Sequence, residues 1–281
     1  MKYYELLKYA TDLSIENHKE ESAVKILLLY VTGLESHILI SKMNDDVSDA
    51  EILKFKELID KYIYNNIPIQ HLTGVEYFYG CEFYVTDEVL IPRFETEELV
   101  NNILMTYDEV FDGKEINVVD VGTGSGAIAI TLDLEEANMN VMATDISESA
   151  LKVAKKNNDK LGANVEFRLG DMLKPLEGKK FDILVSNPPY IPVTEKVESL
   201  VYDNEPHIAL FGGEDGLKFY RIILQNAASF LNVPNIIAFE HAYNKGEEMI
   251  ELSKRYFPNA EVKLLKDMQR KDRMTIIINR R

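Results

Sequence analysis

Apolar positions in the first part of the chain recur at the spacing of an amphipathic helix. A helix repeats every ~3.6 residues, so apolar side chains three and four positions apart lie on one face. The positions that repeat in this way are Leu6, Leu7, Ala10, Val24, Leu27, Leu28, Val31, Ile52, Phe55, Leu58, Ile59 and Ile63. The pattern predicts three or four short helices between residues 2 and 66.

The helical pattern ends in PIQHLTG, residues 68–74, where Pro and Gly are typical of a loop. The alternating, aromatic-rich run EYFYGCEFYV follows and predicts a strand pair that turns at Gly80. We therefore expect a helical domain over residues 1–74 and a β-hairpin linker over residues 75–92.

After Arg93, short β-branched runs alternate with helical stretches. The runs that predict strands are INVVDV, NVMATD, NVEFRL, FDILVSN and NIIAFEH, and AEVKLLKDM and RMTIIINR end the chain as an antiparallel edge pair. Strands that alternate with helices favour βαβ units. The prediction for residues 93–281 is an α/β domain with a doubly wound, mostly parallel seven-stranded sheet, which binds ligands beyond the carboxyl ends of its strands.

Charge and composition narrow the choice of partners. The 281-residue chain has a net charge of −16 and no arginine before Arg93, so a broad surface for nucleic acid is disfavoured. Cys81 is the only cysteine, which rules out an internal disulfide. The N-terminus lacks signal-peptide features, and the apolar run ILLLYV is too short to span a membrane. We expect a soluble, cytoplasmic protein.

A glycine-rich loop follows the first predicted strand of the α/β region, in VVDVGTGSGAIAI at 118–130. Gly122, Gly124 and Gly126 permit a tight turn, and the next helix begins with free backbone N–H groups. Asp145 ends the following strand about 20 residues later, where a carboxylate can accept both ribose hydroxyls. The loop predicts a nucleoside cofactor, and by itself it leaves NAD and FAD open.

A second motif, Asn-Pro-Pro-Tyr at 187–190, follows a buried strand. The prolines make the turn rigid, the Asn187 side-chain oxygen and a turn carbonyl can accept both hydrogens of a substrate –NH₂ group, and Tyr190 offers a face for packing. Such an orienting device needs neither a nucleophile nor a metal. An –NH₂ group beside a nucleoside cofactor points to methyl transfer from S-adenosylmethionine, with S-adenosylhomocysteine as product.

With these motifs the chain resembles the release factor glutamine methyltransferases, also called PrmC or HemK, which are Rossmann-like class I methyltransferases. The segments that carry the resemblance are VLIPRFETEELV, VVDVGTGSGAIAI, VSNPPYIP, EPHIALFGGEDGL and FEHAYNKG. The resemblance implies methylation of the side-chain amide nitrogen, N5, of the glutamine in the Gly-Gly-Gln motif of peptide chain release factors. From its position and from the need to hold a large substrate, we expect the helical domain to recognise the body of the release factor.

The resemblance assigns roles to particular positions. The residues that it implies for the cofactor are Gly122, Thr123, Gly124, Ser125, Gly126, Asp145, Asp171, Met172 and Asn187. For the substrate and the chemistry it implies Asn187, Pro188, Pro189 and Tyr190. The chain departs from the usual family pattern at Phe94, Glu95 and Asn204, in loops around the clefts.

Other polar residues are not expected to do chemistry. His71 and His241 are interpreted as structural, and Glu240 as a buried, paired carboxylate or a supporting residue. Glu205 is interpreted either as a residue near the substrate or as a loop-stabilising acceptor. Two other functions stay open: an adenine-N6 methyltransferase of DNA or RNA, which shares Asn-Pro-Pro-Tyr, and a non-catalytic docking module that binds nucleosides or release factors. The acidic charge argues against the first of these.

Overall fold

The computed structural model describes residues 1–280, and Arg281, the last residue of the predicted α/β domain, lies outside the described residues. The helices in chain order are α1 (Tyr3–Glu16), α2 (Glu21–Thr32), α3 (Ser36–Ser41), α4 (Asp49–Tyr64), α5 (Ile69–Thr73), α6 (Phe94–Phe111), α7 (Ala127–Glu135), α8 (Glu148–Leu161), α9 (Ser199–Tyr202), α10 (Lys218–Ala227) and α11 (Gly246–Tyr256). The strands are β1 (Val75–Phe78), β2 (Cys81–Tyr84), β3 (Ile116–Val121), β4 (Met139–Asp145), β5 (Glu166–Leu169), β6 (Phe181–Ser186), β7 (Leu231–Glu240), β8 (Glu261–Lys266) and β9 (Asp272–Asn279).

The chain divides into two compact units. The first, the helical unit, contains Met1–Val75 and the short segment Val197–Asn204. The second, the α/β unit, contains Glu76–Lys196 and the chain from Glu205 onward. By its position in the sequence, segment 197–204 falls within the predicted α/β domain, but in the structure it belongs to the helical unit. There Asn204 Nδ2 donates to the Asn66 carbonyl at 2.8 Å.

The helical unit has its own apolar core, and the residues that set the helical period supply most of it. Leu6, Leu27, Leu28 and Phe55 are fully buried in this cluster. At the start of α4, Ser48 and Glu51 form a reciprocal cap in which each side chain accepts from the other's backbone N–H. The predicted helices are therefore stabilised by burial along one face and by local capping.

The α/β unit contains the predicted hairpin and sheet. Strands β1 and β2 pair and turn through Tyr79 and Gly80, both with positive φ. The larger sheet has the order β5-β4-β3-β6-β7-β9-β8, with five parallel strands and β9 antiparallel to both of its neighbours. The expected fold class, a doubly wound, mostly parallel seven-stranded sheet, is confirmed.

Apolar residues cover both faces of this sheet. One face packs against α6 and α7, and the other packs against α10 and α11. From the middle of the sheet, β3, β4 and β5 follow one another toward one edge, and β6 and β7 lie toward the other edge. The loops after β3 and β6 therefore diverge. Such a switch point opens a crevice at the carboxyl ends of the strands. In the described part of the chain, no helix combines the length and the apolar character that crossing a membrane requires.

Candidate functional site

A cavity of about 380 Å³ lies at the carboxyl ends of the parallel strands, entirely within the α/β unit. Its wall is built by the loops after β3, β4, β5 and β6, together with parts of segments 88–96 and 206–219. Small-molecule sites generally range from about 300 to 1,000 Å³. The crevice therefore has the size and the position of a cofactor site.

The three glycines of the loop after β3 have different environments. All have positive φ, +79° at Gly122, +57° at Gly124 and +85° at Gly126, which favours glycine. A Cβ at Gly122 or Gly124 would have no neighbour within 4 Å, and both residues line the cavity. A Cβ at Gly126 would lie 2.8 Å from Ile130 Cδ1 and 3.2 Å from Ala154 Cβ. Gly126 is outside the lining and serves the close packing of α7 on α8.

Asp145 ends β4 and lies against the glycine loop. Its Oδ2 accepts from the Gly124 N–H at 2.8 Å, and its Oδ1 accepts from the Ser147 N–H at 2.9 Å. Burial raises the pKa of this carboxyl, which the backbone hydrogen bonds oppose. Each carboxylate oxygen keeps a further lone pair, so Asp145 can still accept ribose hydroxyls. Thr123 and Ser125 also line the cavity.

The loop after β5 contributes Asp171 and Met172, which both line the cavity. Met172 has φ +50°, a conformation that is uncommon outside glycine. Ile146, which the sequence analysis did not select, lines the same cavity with 53% of its surface exposed. Its position directly after Asp145 is the signal that could have identified it as an apolar platform.

Asp120 in β3 is a second acidic residue that the sequence analysis missed. The side chain is fully buried, and its Oδ2 accepts from Thr123 Oγ1 at 2.6 Å. Its Oδ1 has no hydrogen-bond partner, and burial, with a contribution from Asp145, raises its pKa to about 7. A buried carboxylate in these surroundings would be stabilised by a nearby cation.

The turn after β6 brings Asn187 and Pro189 to the cavity wall. Pro188 is buried and Tyr190 is half-buried against the apolar core on the α10–α11 face, and neither lines the cavity. Burial raises the pKa of Tyr190 well above its ordinary value, so the phenol stays neutral. The structure thus brings Asn187 and Pro189 together with the glycine loop and places Tyr190 behind them.

Segment 205–217 holds this turn in place. The Ile191 N–H donates to the Leu210 carbonyl at 2.9 Å, and the Gly212 N–H donates to the Ile191 carbonyl at 2.8 Å. A Cβ at Gly212 would lie 2.5 Å from the Pro189 carbonyl oxygen, and one at Gly216 would overlap the Tyr190 carbonyl oxygen. Two glycines of A-L-F-G-G-E-D-G-L, Gly212 and Gly216, are therefore needed for close backbone approach to Asn-Pro-Pro-Tyr.

Comparison with known proteins places the chain in a family. Residues 96–203 match the family described as "Methyltransferase small domain", and residues 5–74 match "PrmC N-terminal domain". The release factor glutamine methyltransferase of Bacillus subtilis (strain 168) is 45% identical over 276 residues, covering 96% of this chain and 95% of the relative. That of Bacillus cereus is 42% identical over 278 residues, covering 98% of each chain.

This chain belongs to the release factor glutamine methyltransferase family. Solved structures support the fold alone. A methyltransferase from Pyrococcus furiosus aligns with a TM-score of 0.52 and 19% identity, over 80% of this chain and 97% of that chain. The T. thermophilus 16S rRNA N2 G1207 methyltransferase, solved with AdoMet and guanosine, aligns with a TM-score of 0.50 and 15% identity, over 73% of this chain and 50% of that chain.

Methyltransferases of this class depend on S-adenosylmethionine, and the cavity residues fit that cofactor. The open space above Gly122 and Gly124 admits a bulky group close to the backbone. Asp145 has acceptor capacity for a ribose and lines the cavity beside the glycine loop. S-adenosylmethionine carries both a ribose and cationic groups.

In this member of the family, Glu205 stabilises the loop that precedes α6. Its side chain is buried, Oε2 accepts from the Ile91 N–H at 3.1 Å, and Oε1 pairs with the Arg93 guanidinium. Of the two interpretations of Glu205, these contacts support the loop acceptor, and they join the I-P-R segment to the E-P segment of this chain. Phe94, one of the departures from the family pattern, is exposed at the surface.

His241 has the structural surroundings expected of a buried histidine. Its Nδ1 lies 3.0 Å from the Ala242 carbonyl oxygen, and its Nε2 lies 3.0 Å from Thr275 Oγ1. Burial lowers its pKa, so the ring is neutral. With Nδ1–H donating to the carbonyl, Nε2 is left to accept from the hydroxyl. His241 is therefore a structural residue that links β7 to β9.

Proposed function

We infer that this protein methylates the side-chain amide nitrogen, N5, of the glutamine in the Gly-Gly-Gln motif of peptide chain release factors. The observation that carries the inference is the position of Asn187. It lines the cavity at the end of β6, the strand next to the glycine-loop strand β3, and its amide nitrogen donates to Thr96 Oγ1 at 3.3 Å. The side-chain oxygen is then available to accept a hydrogen from a substrate amide.

The cofactor side of the proposal involves the residues around the glycine loop. Gly122, Thr123, Gly124 and Ser125 would surround S-adenosylmethionine, Asp145 would accept its ribose hydroxyls, and Asp171 and Met172 would lie beside its base. Gly126 would contribute through the packing of α7. S-adenosylmethionine supplies a methyl group on a sulfonium, which is electrophilic, and S-adenosylhomocysteine is the product.

The substrate side of the proposal involves the turn after β6. Asn187 and the backbone of the Pro188–Pro189 turn orient the glutamine –NH₂ group, and Tyr190 supports the turn from its half-buried position. Alignment supplies the rate enhancement, because a nitrogen held in line needs no nucleophilic side chain and its proton leaves to solvent. The two glycines of Gly-Gly-Gln keep the substrate backbone thin enough to enter a cleft.

The domain assignment is part of the same proposal. Residues 1–74 would recognise the release factor, residues 75–92 would form the linker, and residues 93–281 would perform methyl transfer. A cytoplasmic location would follow, because release factors act on cytoplasmic ribosomes.

The test is methylation of an unmodified release factor with S-adenosylmethionine, followed by tandem mass spectrometry. We expect one added methyl group on the Gly-Gly-Gln glutamine and none on a factor in which that glutamine is alanine. The Asn187→Ala variant should lose activity. Methyl appearing on adenine of a parallel DNA or RNA sample, with none on the factor, would instead identify a nucleic-acid enzyme.

A further inference from the structure

Three side chains from distant parts of the α/β unit form a hydrogen-bonded chain that leads from the cavity wall into the buried interior. Thr96 Oγ1, in the first turn of α6, donates to Glu240 Oε2, at the end of β7, at 2.6 Å. Asn187 Nδ2 donates to the same Thr96 oxygen at 3.3 Å. Thr96 and Glu240 are buried; Thr96 and Asn187 both line the cavity, and Glu240 does not.

The direction of this chain follows from the chemistry of its members. Above its pKa of about 7 the Glu240 carboxyl is ionised and only accepts hydrogen bonds, so the single hydroxyl hydrogen of Thr96 is used by Glu240, as in the observed contact. The Thr96 oxygen then has only lone pairs left for Asn187, and an amide nitrogen only donates. Asn187 must therefore place Nδ2 toward Thr96 and turn Oδ1 away from it. An asparagine without such a partner could present either atom to the cavity.

Glu240 is held from several sides. The Tyr220 hydroxyl donates to the Glu240 backbone carbonyl at 2.7 Å. Burial raises the pKa of the Glu240 carboxyl to about 7, while hydrogen bonds from Thr96 and Asn187 and the charge of Arg273 oppose that rise. Glu240 does not line the cavity, so any effect that it has on the reaction passes through its neighbours.

We propose that Thr96 and Glu240 are positioning residues that fix the orientation of the Asn187 side-chain amide, with its oxygen toward the glutamine nitrogen. The proposal rests on the proposed function for the identity of that substrate. The orientation itself rests only on the three side chains. This role gives a reason for a threonine and a glutamate to be buried next to the turn that carries Asn187.

The first test compares Thr96→Val, which removes the hydroxyl at nearly constant shape, with Thr96→Ser, which keeps it. For Thr96→Val we expect kcat for release factor methylation to fall about 10- to 100-fold, because a misplaced orienting group costs rates of that order. KM and the affinity for S-adenosylhomocysteine should change little. Thr96→Ser should keep kcat near the wild-type value. A wild-type kcat in Thr96→Val would overturn the proposal, and so would an equal loss in both variants.

A double-mutant cycle separates positioning from general loss of stability. If Thr96 and Glu240 act in one chain, the kcat of Thr96→Val combined with Glu240→Gln should be no lower than that of the more impaired single variant. Losses that multiply would mean that the two residues act independently, and the proposal would be wrong. Melting temperatures and binding of S-adenosylhomocysteine show that each variant is folded.

A measurement that needs no turnover tests the orientation of the Asn187 side-chain amide separately from the identity of the substrate. In protein labelled with ¹⁵N-asparagine, the Asn187 –NH₂ hydrogens should exchange slowly with solvent, and Thr96→Val should speed that exchange. Free exchange in the wild-type protein would overturn the proposed orientation. Slow exchange together with no methylation of release factor would support the orientation and contradict the proposed function instead.

Discussion

Gly216 lies directly against Tyr190, so that a Cβ at position 216 would overlap the Tyr190 carbonyl oxygen. Gly216 also has φ +77°. This contact makes the loop of residues 205–217 a support for the backbone of Asn-Pro-Pro-Tyr. The geometry of the turn that carries Asn187 therefore depends on a glycine 29 positions later in the chain.

The first prediction concerns Gly216→Ala, with Gly178→Ala as its matched control. Gly178 has φ +79°, and a methyl group on its Cα would meet no atom within 4 Å, so alanine there costs only the backbone strain, about 1–2 kcal/mol. Gly216→Ala adds an overlap, and we expect a further loss of about 1–3 kcal/mol. Chemical denaturation measures both, and activity should fall only in Gly216→Ala. Equal losses of stability and activity in the two variants would contradict the contact.

The second prediction separates two glycines of one loop. Gly124→Ala places a methyl group in the open space of the cavity, so it should weaken S-adenosylhomocysteine binding at least about tenfold with a modest loss of stability. Gly126→Ala forces Ile130 and Ala154 apart and should lose more stability than Gly124→Ala. Calorimetric titration and thermal melting of both variants measure the two effects. The reverse ranking would mean that the cofactor does not approach Gly124.

The third prediction concerns Asp120. Its pKa in the folded protein is about 7, above its ordinary value of 3.8, so the fold favours the protonated form. Stability from this group is therefore fully present below about pH 4 and is lost as pH rises through about 7. Asp120→Asn should raise the melting temperature without cofactor at pH 8, by an amount that shrinks toward pH 5.

At pH 8, where Asp120 is ionised, the same variant should bind S-adenosylmethionine more weakly, because a neutral amide does not attract a cation; at pH 5, where the Asp120 carboxyl is protonated, the difference should be small. Melting curves at pH 5 and pH 8, with and without the cofactor, measure both effects. A variant that is less stable than the wild type at pH 8 would show that the Asp120 carboxylate is stabilised by the protein alone.

The fourth prediction concerns Tyr190, which is half-buried and absent from the cavity wall. Tyr190→Phe keeps the packing and should retain kcat within about threefold, whereas Tyr190→Ala leaves a hole behind the turn and should lose several kcal/mol of stability and most activity. Steady-state kinetics with release factor, together with denaturation, distinguish the two. A large kcat loss in Tyr190→Phe at unchanged stability would assign the hydroxyl a direct role in the reaction.

The amino-acid sequence by itself determined the features that depend on neighbours along the chain. The helices between Leu6 and Ile63 follow from the need to bury one face of each helix. The turn at Gly80 follows from the backbone geometry that glycine allows. The positive φ of Gly122 and Gly124 and the strand that precedes Asn187 follow in the same way.

Only the tertiary structure decided which distant side chains meet. Thr96 and Glu240 are 144 positions apart, and their contact depends on α6 lying over the end of β7. The unpaired oxygen of Asp120 and the packing role of Gly126 likewise depend on what surrounds them. Sequence periodicity shows which face of an element is buried, whereas the partner on the other side is set by the order of strands in the sheet and the crossing of helices over it.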